Sequence, residues 1–223
     1  MIDISRHREL FNAEEFHTPI TVIGAGATGS WVALALAKLG IENITIYDFD
    51  IVEEHNIANQ AYALYDVGDT KVKALYYQIK NITEAQVKIH EEKFTDQRLS
   101  GIIFLMVDSM EQRKLIWENA IKMKPAVQLL IEPRMGLDVG RVYNVEPTNL
   151  THIKKYENTY YSDEEAEVSA CGSSMSVITS ALTIASWCVR QVINWHNNID
   201  LDNEILLDFK YNHIITNKWE VTK

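Results

Sequence analysis

The sequence has little cysteine and no excess of positive charge. Its two cysteines, Cys171 and Cys188, form no Cys-x-x-Cys pair, so we expect neither a disulfide framework nor a structural zinc site of the usual kind. Acidic residues outnumber basic ones and the formal net charge is −10. Such a surface repels the phosphates of nucleic acid, so we expect no nucleic-acid partner.

Long apolar runs are also missing. No stretch reaches the roughly 18 apolar residues that a membrane helix needs, and no charged start leads into an apolar run with a cleavage site. We therefore expect a cytoplasmic chain with no membrane contact. Apolar residues still make up 47% of the 223 residues, which predicts a substantial core in a single domain over residues 1–223.

Strand and helix patterns alternate along the chain. Residues 19–24 predict a buried strand, 30–39 a helix that Gly40 closes, and 42–48 a second strand. Further strands are predicted at 87–91, 102–107 and 126–131, and further helices at 71–82, 111–123 and 174–195. This order favours an α/β, Rossmann-like fold with an open, mostly parallel sheet and helices on both faces.

Three segments fall outside that alternation. Residues 1–17 are polar and mixed, which indicates an N-terminal arm. Residues 148–170 are polar and acidic without a clear period, so we predict a long crossover loop. Period-two patterns at 140–145 and in a hairpin at 204–221 predict an antiparallel C-terminal extension of the sheet.

A glycine-rich loop joins the first strand to the first helix. Gly24, Gly26 and Gly29 fit G-x-G-x-x-G, where backbone amides and the amino end of a helix can approach phosphate oxygens. Asp48 ends the second strand, where a carboxylate can accept hydrogen bonds from ribose hydroxyls. These features fit NAD, FAD or ATP equally, and a tight turn with no ligand remains an alternative.

The next segment is more specific. Asp48-Phe-Asp50 is followed by Asn56-Ile-Ala-Asn59-Gln60 and then by Gly68-Asp-Thr-Lys71. This series resembles the activating-enzyme superfamily of ThiF, MoeB and HesA, relatives of the ubiquitin-activating enzymes. Their pattern runs from a glycine-rich loop through Asp-x-Asp and Asn-Leu-x-Arg-Gln to Gly-x-x-Lys. The resemblance covers about residues 6–195.

The resemblance implies adenylation. In this family the C-terminal carboxylate of a ubiquitin-like or sulfur-carrier protein, which ends in glycine, reacts with ATP in the presence of Mg²⁺. Lys71 would place its ammonium against a phosphate, and Asp108 would position the metal. A surface lysine and a helix-capping aspartate are the alternatives for these two residues. The implied nucleotide-binding residues are Gly24, Gly26, Gly29, Asp48, Asp50, Asn56, Asn59, Gln60 and Lys71.

One position departs from the family pattern. Asn59 stands where the family has arginine, so a fixed charge against phosphate is lost. Arg134 and Arg141 are candidates to replace it, as is Arg8 in the arm, because in relatives an arginine near the start reaches the partner subunit's site. The resemblance therefore also implies a homodimer.

The two cysteines receive different interpretations. Cys171 lies where relatives carry a cysteine that takes a thioester or transfers sulfur, and a buried small side chain is the alternative. Cys188 lies in the middle of a predicted helix and is assigned to the core.

Two further functions remain open. The loss of the arginine leaves room for a non-catalytic protein that binds a nucleotide or a partner. An NAD(P)-dependent oxidoreductase fits the glycine loop and Asp48, but it leaves Asn56, Gln60 and Lys71 unexplained.

Overall fold

A computed structural model describes residues 2–162 and 176–219. Within these residues the strands form one eight-stranded sheet in the order β3-β2-β1-β4-β5-β6-β7-β8. The strands are β1 Ile20–Ile23, β2 Ile44–Tyr47, β3 Lys88–His90, β4 Gly101–Leu105, β5 Val127–Met135, β6 Val139–Val145, β7 Glu204–Asp208 and β8 His213–Asn217. The first five strands in the sheet order pair in parallel, and β6, β7 and β8 continue the sheet antiparallel. The predicted fold class is confirmed.

Helices cover both faces of this sheet. They are α1 Gly29–Lys38, α2 Lys71–Thr83, α3 Met110–Ile116, α4 Leu150–Glu157 and α5 Ile178–His196, with a π-helical turn Trp117–Ile121 after α3. Short 3₁₀ helices lie at Ala13–Glu15, Glu54–Ala58 and Leu64–Asp66. In the part of the chain that the structure describes, no helix is both long enough and apolar enough to cross a bilayer.

Alternate residues of the central strands fill two separate cores. On β4, Ile102 and Phe104 pack with α1, α2 and α5, whereas Ile103 and Leu105 pack with the π-helical turn and α4. Successive strand residues point to opposite faces, so a strand that is apolar throughout serves both cores. Burial of each such apolar side chain stabilises the folded state by about 1.5–3 kcal/mol relative to leaving it exposed. The carboxyl ends of β1, β2 and β4 are thereby fixed next to one another.

The predicted crossover loop is wrong for part of its length, because α4 occupies residues 150–157. Asn149 caps this helix by accepting the backbone N–H groups of Thr151 at 3.0 Å and His152 at 3.2 Å. Ile153 and Tyr156 form its buried stripe. Residues 163–170 of the predicted loop lie outside the described residues.

Stability is expected to fall at acidic pH through His152. The Glu146 N–H donates to Nδ1 at 3.2 Å, and Asn203 Nδ2 lies 3.2 Å from Nε2. Burial lowers the pKa of His152, while the Glu146 carboxylate opposes that change. The unfolded chain therefore binds the proton more tightly, and stability present above about pH 6.5 is lost as the pH falls toward the depressed folded pKa.

A His152→Gln variant is the control, since it removes the titrating group. We expect the wild-type melting temperature to drop by about 2 °C more than the variant's between pH 7.5 and pH 5, a small effect because the ring is partly exposed. Parallel curves for the two proteins in a calorimetric pH series would contradict this assignment.

Candidate functional site

The three glycines of the G-x-G-x-x-G loop have different structural duties. Gly24 has φ +97°, and a Cβ there would lie 2.5 Å from the Met106 carbonyl oxygen. A Cβ on Gly29 would lie 1.9 Å from the Gly24 carbonyl oxygen. A Cβ on Gly26 would meet nothing within 4 Å. The fold thus requires Gly24 and Gly29, whereas Gly26 borders open space that a ligand can approach.

The amino end of α1 follows the same loop and carries no acidic side chain of its own. Thr28 at the N-cap makes no side-chain capping bond. The Ser30 N–H donates to the Gly26 carbonyl at 3.1 Å, and the positive end of the helix dipole suits an external anion such as phosphate.

Asp48, Asp50 and Lys71 form one connected chain of polar contacts. Asp48 Oδ2 accepts the Ala25 N–H at 2.6 Å, and its Oδ1 accepts the Asp50 N–H at 2.8 Å. Asp50 Oδ2 in turn accepts a hydrogen bond from Lys71 Nζ at 2.8 Å. Lys71 is buried, so the alternative of a solvated surface lysine is wrong. The predicted acids and the lysine are therefore brought together beside the glycine loop.

Burial raises the pKa of Asp48, and its two backbone hydrogen bonds and Lys71 only partly oppose this. Each of its oxygens already accepts one N–H, so Asp48 fastens the loop and keeps one lone pair per oxygen for a ribose hydroxyl. The Asp50 carboxylate is more available, because nearly half of its side chain is exposed.

Two residues that the sequence interpretation missed also hold this loop. Ser30 Oγ donates to the Gly26 carbonyl at 2.8 Å and accepts the Ala61 N–H at 3.0 Å. Tyr62 Oη donates to the Ala25 carbonyl at 2.7 Å. Burial raises the pKa of Tyr62 well above its usual value, so it remains a donor. A serine on the buried side of α1, directly after the last glycine, was the available signal for Ser30.

Asn56 and Asn59 have different structural roles. Asn56 Oδ1 accepts the Glu53 N–H at 2.9 Å, so Asn56 is buried as a support for the 3₁₀ helix Glu54–Ala58. Asn59 donates from Nδ2 to Ser176 Oγ, two residues before α5, and its carbonyl accepts from Trp31 Nε1 at 3.1 Å. Asn59 therefore links its loop to the segment that precedes α5, where the family arginine would carry a charge.

Unpartnered polar atoms gather in the same segment. Among the described residues, seven buried side-chain nitrogen or oxygen atoms have no hydrogen-bond partner, and three of them are Asn59 Oδ1, Gln60 Oε1 and Thr70 Oγ1. Buried polar groups are normally satisfied, so these three atoms, which fall within residues 59–70, are available to a polar ligand.

Asp108 lies at the carboxyl end of β4 and is exposed. Ser109, not Asp108, caps α3, since Ser109 Oγ accepts the Gln112 N–H at 3.2 Å. The capping alternative for Asp108 is therefore wrong. No group of three metal-ligating side chains occurs in the described residues. A single carboxylate near the glycine-rich loop is nevertheless compatible with Mg²⁺, which is usually bound by one or two carboxylates together with substrate phosphates.

Other predicted residues lie elsewhere. Arg8 forms an exposed ion pair with Glu14 at 2.6 Å, in an arm that packs at the carboxyl end of α1, away from the glycine loop. Arg134 is bound to Glu132, and Arg141 is bound to Glu204 at 2.5 Å, so both guanidinium groups already have carboxylate partners. Cys188 is buried in the core, as predicted, and burial raises its pKa. Cys171 lies outside the described residues.

Cavity size does not locate this site. The larger cavity, ≈ 830 Å³, lies between Thr18, Asn144 and Trp219, at the amino ends of the parallel strands. A smaller one, ≈ 360 Å³, lies near Leu99 and Pro125. The glycine loop, Lys71 and Asp108 belong to neither. Ligands of open α/β sheets bind at the carboxyl ends of the strands, and the glycine loop and Asp108 lie at those ends.

Short stretches of the chain match curated proteins. It is 37% identical over 83 residues to a tRNA threonylcarbamoyladenosine dehydratase of Escherichia coli, an alignment covering 36% of this chain and 31% of the relative. It is 38% identical over 74 residues to the probable adenylyltransferase/sulfurtransferase MoeZ of Mycobacterium tuberculosis, covering 32% of this chain and 19% of MoeZ. It is 30% identical over 86 residues to ubiquitin-like modifier-activating enzyme 5 of Xenopus laevis, an alignment covering 38% of this chain and 22% of the relative. The matches thus span a third or less of these relatives.

Solved structures match over almost the whole chain. PaaA superimposes with a TM-score of 0.72 at 21% identity, covering 98% of this chain and 78% of PaaA. Escherichia coli MccB with AMPCPP and MccA gives a TM-score of 0.67 at 16% identity, and the superposition covers 92% of this chain and 65% of MccB. At these identities the structures support the fold alone. The sequence profile of the ThiF family, in contrast, matches residues 8–223, and the chain therefore belongs to the ThiF family.

Proposed function

We propose that this protein uses ATP to adenylate the C-terminal carboxylate of a small carrier protein of the ubiquitin-like or sulfur-carrier type. The observation that carries the proposal is the position of Lys71, whose buried ammonium is tied through Asp50 and Asp48 to the open side of the glycine loop. A fixed cation beside a loop that is open at Gly26 suits a triphosphate.

The chemistry follows from charge. A carboxylate oxygen attacks the α-phosphorus of ATP, a new P–O bond forms and the bond to pyrophosphate breaks. Negative charge builds on the phosphate oxygens, so donors fixed before the reaction stabilise the transition state most. Lys71, held by Asp50, and the amino end of α1 would be such donors. Mg²⁺ held by Asp108 and the phosphates would neutralise the leaving pyrophosphate.

The net charge of the chain and the names of its relatives bear on which class of substrate is adenylated. One relative is named as acting on ubiquitin-like modifiers and another as a dehydratase of a tRNA nucleoside. A net charge of −10 disfavours a large polyanion such as tRNA. A protein carrier is therefore the preferred substrate class. Membership of the ThiF family also favours adenylation over the oxidoreductase alternative.

A non-catalytic role is the second candidate, and one observation favours it. Asn59 supplies no charge and is engaged with Ser176, while Arg134 and Arg141 are paired with Glu132 and Glu204. If no arginine arrives from a second subunit, phosphate neutralisation depends on Lys71 and Mg²⁺. Carrier binding without pyrophosphate exchange would identify this function.

The proposal includes a homodimer, which would bring the Arg8 arm of one subunit to the site of the other. Apolar side chains lie exposed beside the site, among them Leu64 at 69% and Tyr65 at 81%. Phe49, Ile51 and Val67 are exposed on the adjoining loops, which Ile51 and Thr70 connect by a β-bridge. Exposed apolar groups of this kind mark contact surfaces.

We expect the double change Leu64→Glu and Tyr65→Glu to convert a dimer to a monomer, because it places charge within an apolar contact. Light scattering during size-exclusion chromatography measures the mass. Leu150→Glu is the matched control, since Leu150 is equally exposed but lies on α4. A wild-type monomer at all concentrations would overturn the homodimer.

The decisive experiment is ATP–pyrophosphate exchange with Mg²⁺ and candidate carriers that end in glycine. Exchange that requires the intact terminal glycine supports adenylation, and mass spectrometry identifies the acyl-adenylate on the carrier. A thioester on Cys171, absent from a Cys171→Ser variant, would establish a transfer step. Nucleotide binding with no exchange for any carrier would replace adenylation by the non-catalytic role.

A further inference from the structure

Glu132 is a buried carboxylate that two arginines share. It lies on β5 with no exposed surface. Arg134, two residues along the same strand face, donates from Nε to Oε1 at 2.9 Å and from Nη2 to Oε2 at 2.8 Å. Arg113 of α3 places Nε 2.7 Å from Oε1, although this N–H is not directed at an acceptor, so the contact is an ion pair more than an aligned hydrogen bond.

Arg113 connects this carboxylate to the loop between β4 and α3. Its Nη2 donates to the Val107 carbonyl at 2.5 Å, one residue before Asp108. On the other side of the loop, the Met106 N–H donates to the Ile23 carbonyl at 2.8 Å, and the Met106 carbonyl packs where a Cβ of Gly24 would lie. The backbone that carries Asp108 is therefore held between the glycine loop and Arg113.

Arg134 connects the same carboxylate to a different segment. Its Nη1 donates to the Thr159 carbonyl at 2.6 Å and its Nη2 to Thr159 Oγ1 at 2.9 Å. The guanidinium also lies 4.6 Å from the ring centroid of Tyr143. Both arginines are positively charged and pair with Glu132, but only Arg113 contacts the loop that bears Asp108.

We infer that Arg113, aligned by Glu132, is a positioning residue that sets the Asp108 carboxylate for Mg²⁺ and the phosphates. This inference rests on the proposed function. Within the described residues the Asp108 side chain forms no hydrogen bond or ion pair of its own, so its backbone decides where it points. Mg²⁺ demands near-ideal octahedral geometry. If the loop moves by about 1 Å, the Asp108 carboxylate therefore binds the metal much more weakly.

Arg113→Lys and Arg134→Lys form a matched pair of variants. Each keeps the positive charge at Glu132, but a single ammonium nitrogen replaces the guanidinium fork and cannot span the separate acceptors that the different guanidinium nitrogens contact. Hydrogen exchange followed by mass spectrometry reads the backbone amides of residues 106–112 in the free protein. We expect exchange there to become about tenfold faster in R113K and to stay unchanged in R134K.

The second measurement concerns the metal without turnover. Electron paramagnetic resonance gives the affinity of Mn²⁺, a spectroscopic substitute for Mg²⁺, with the protein bound to a non-hydrolysable ATP analogue. R113K is expected to weaken Mn²⁺ binding about tenfold and R134K to leave it unchanged, while both lower the melting temperature. If R113K does not fold, E132Q keeps the side-chain shape and should weaken Mn²⁺ binding about threefold.

The outcomes separate the two proposals. Wild-type protein that binds no Mn²⁺ with nucleotide overturns the proposed function and the metal role of Asp108 together. Wild-type binding with equal affinity in R113K and R134K overturns the positioning role alone, because a merely structural ion pair would lower the melting temperature in both variants without separating their metal affinities.

Discussion

Replacing Lys71 by methionine is expected to lower ATP–pyrophosphate exchange by about 10²–10³-fold with little change in stability. The lysine is buried and is the cation joined to the Asp50–Asp48 chain beside the glycine loop. Methionine keeps the length and apolar stem of the side chain and removes the charge on which the transferring phosphates would depend. Exchange measured at saturating ATP and carrier gives the effect.

The matched control is Lys73→Met. Lys73 lies two residues further along α2 and is exposed, so it carries the same charge on the opposite side of the helix. This variant should retain wild-type exchange. The Asp50 partner left behind in Lys71→Met is nearly half exposed and can be hydrated, so the melting temperature should fall by no more than about 3 °C. Undiminished exchange in Lys71→Met would remove the lysine from the reaction.

Two substitutions in the glycine loop form the second prediction. Gly29→Ala is expected mainly to lower stability, whereas Gly26→Ala is expected mainly to weaken nucleotide binding. Gly29→Ala places a methyl group 1.9 Å from the Gly24 carbonyl oxygen, so the turn must distort. We expect a loss of about 3 kcal/mol, or roughly 10 °C in melting temperature. Gly26→Ala meets no atom of the described chain within 4 Å and should melt within about 1 °C of the wild type.

Nucleotide binding should reverse that order of severity. The methyl group at Gly26 occupies the space through which phosphate oxygens approach the backbone, so calorimetry should show ATP affinity about tenfold weaker or worse in Gly26→Ala. Gly29→Ala, measured well below its melting temperature, should bind more nearly like the wild type. Full affinity in Gly26→Ala would mean that nucleotide does not approach the loop at this glycine.

The sequence predicted the parallel core of the fold well because its signals are local. Uninterrupted apolar runs such as residues 102–107 indicate strands covered on both faces, and the glycines mark the turn into α1. The antiparallel pairing of β6 followed from its period-two pattern. These features depend on residues adjacent in the chain.

Two elements with weak local patterns differ from the sequence prediction. Helix α4 buries only Ile153 and Tyr156 among its eight residues, so its period was hidden in a polar, acidic stretch. Strand β5 runs to Met135, beyond the predicted end at 131, although it contains Pro133. The proline is tolerated because pairing with β4 ends at Ile131, which leaves no partner on that side for its missing N–H.

The sequence by itself determined the family pattern and which residue types meet at the strand ends, since spacing along a parallel sheet places Gly24–Gly29, Asp48 and Asp108 at one edge. Only the tertiary structure decided the roles within that set. It showed Asn56 supporting a loop, Asn59 joined to Ser176, Ser109 as the cap of α3, and Glu132 sharing two arginines. Such contacts join residues up to 117 positions apart, and the direction of a side chain across that separation is set by packing rather than by local sequence.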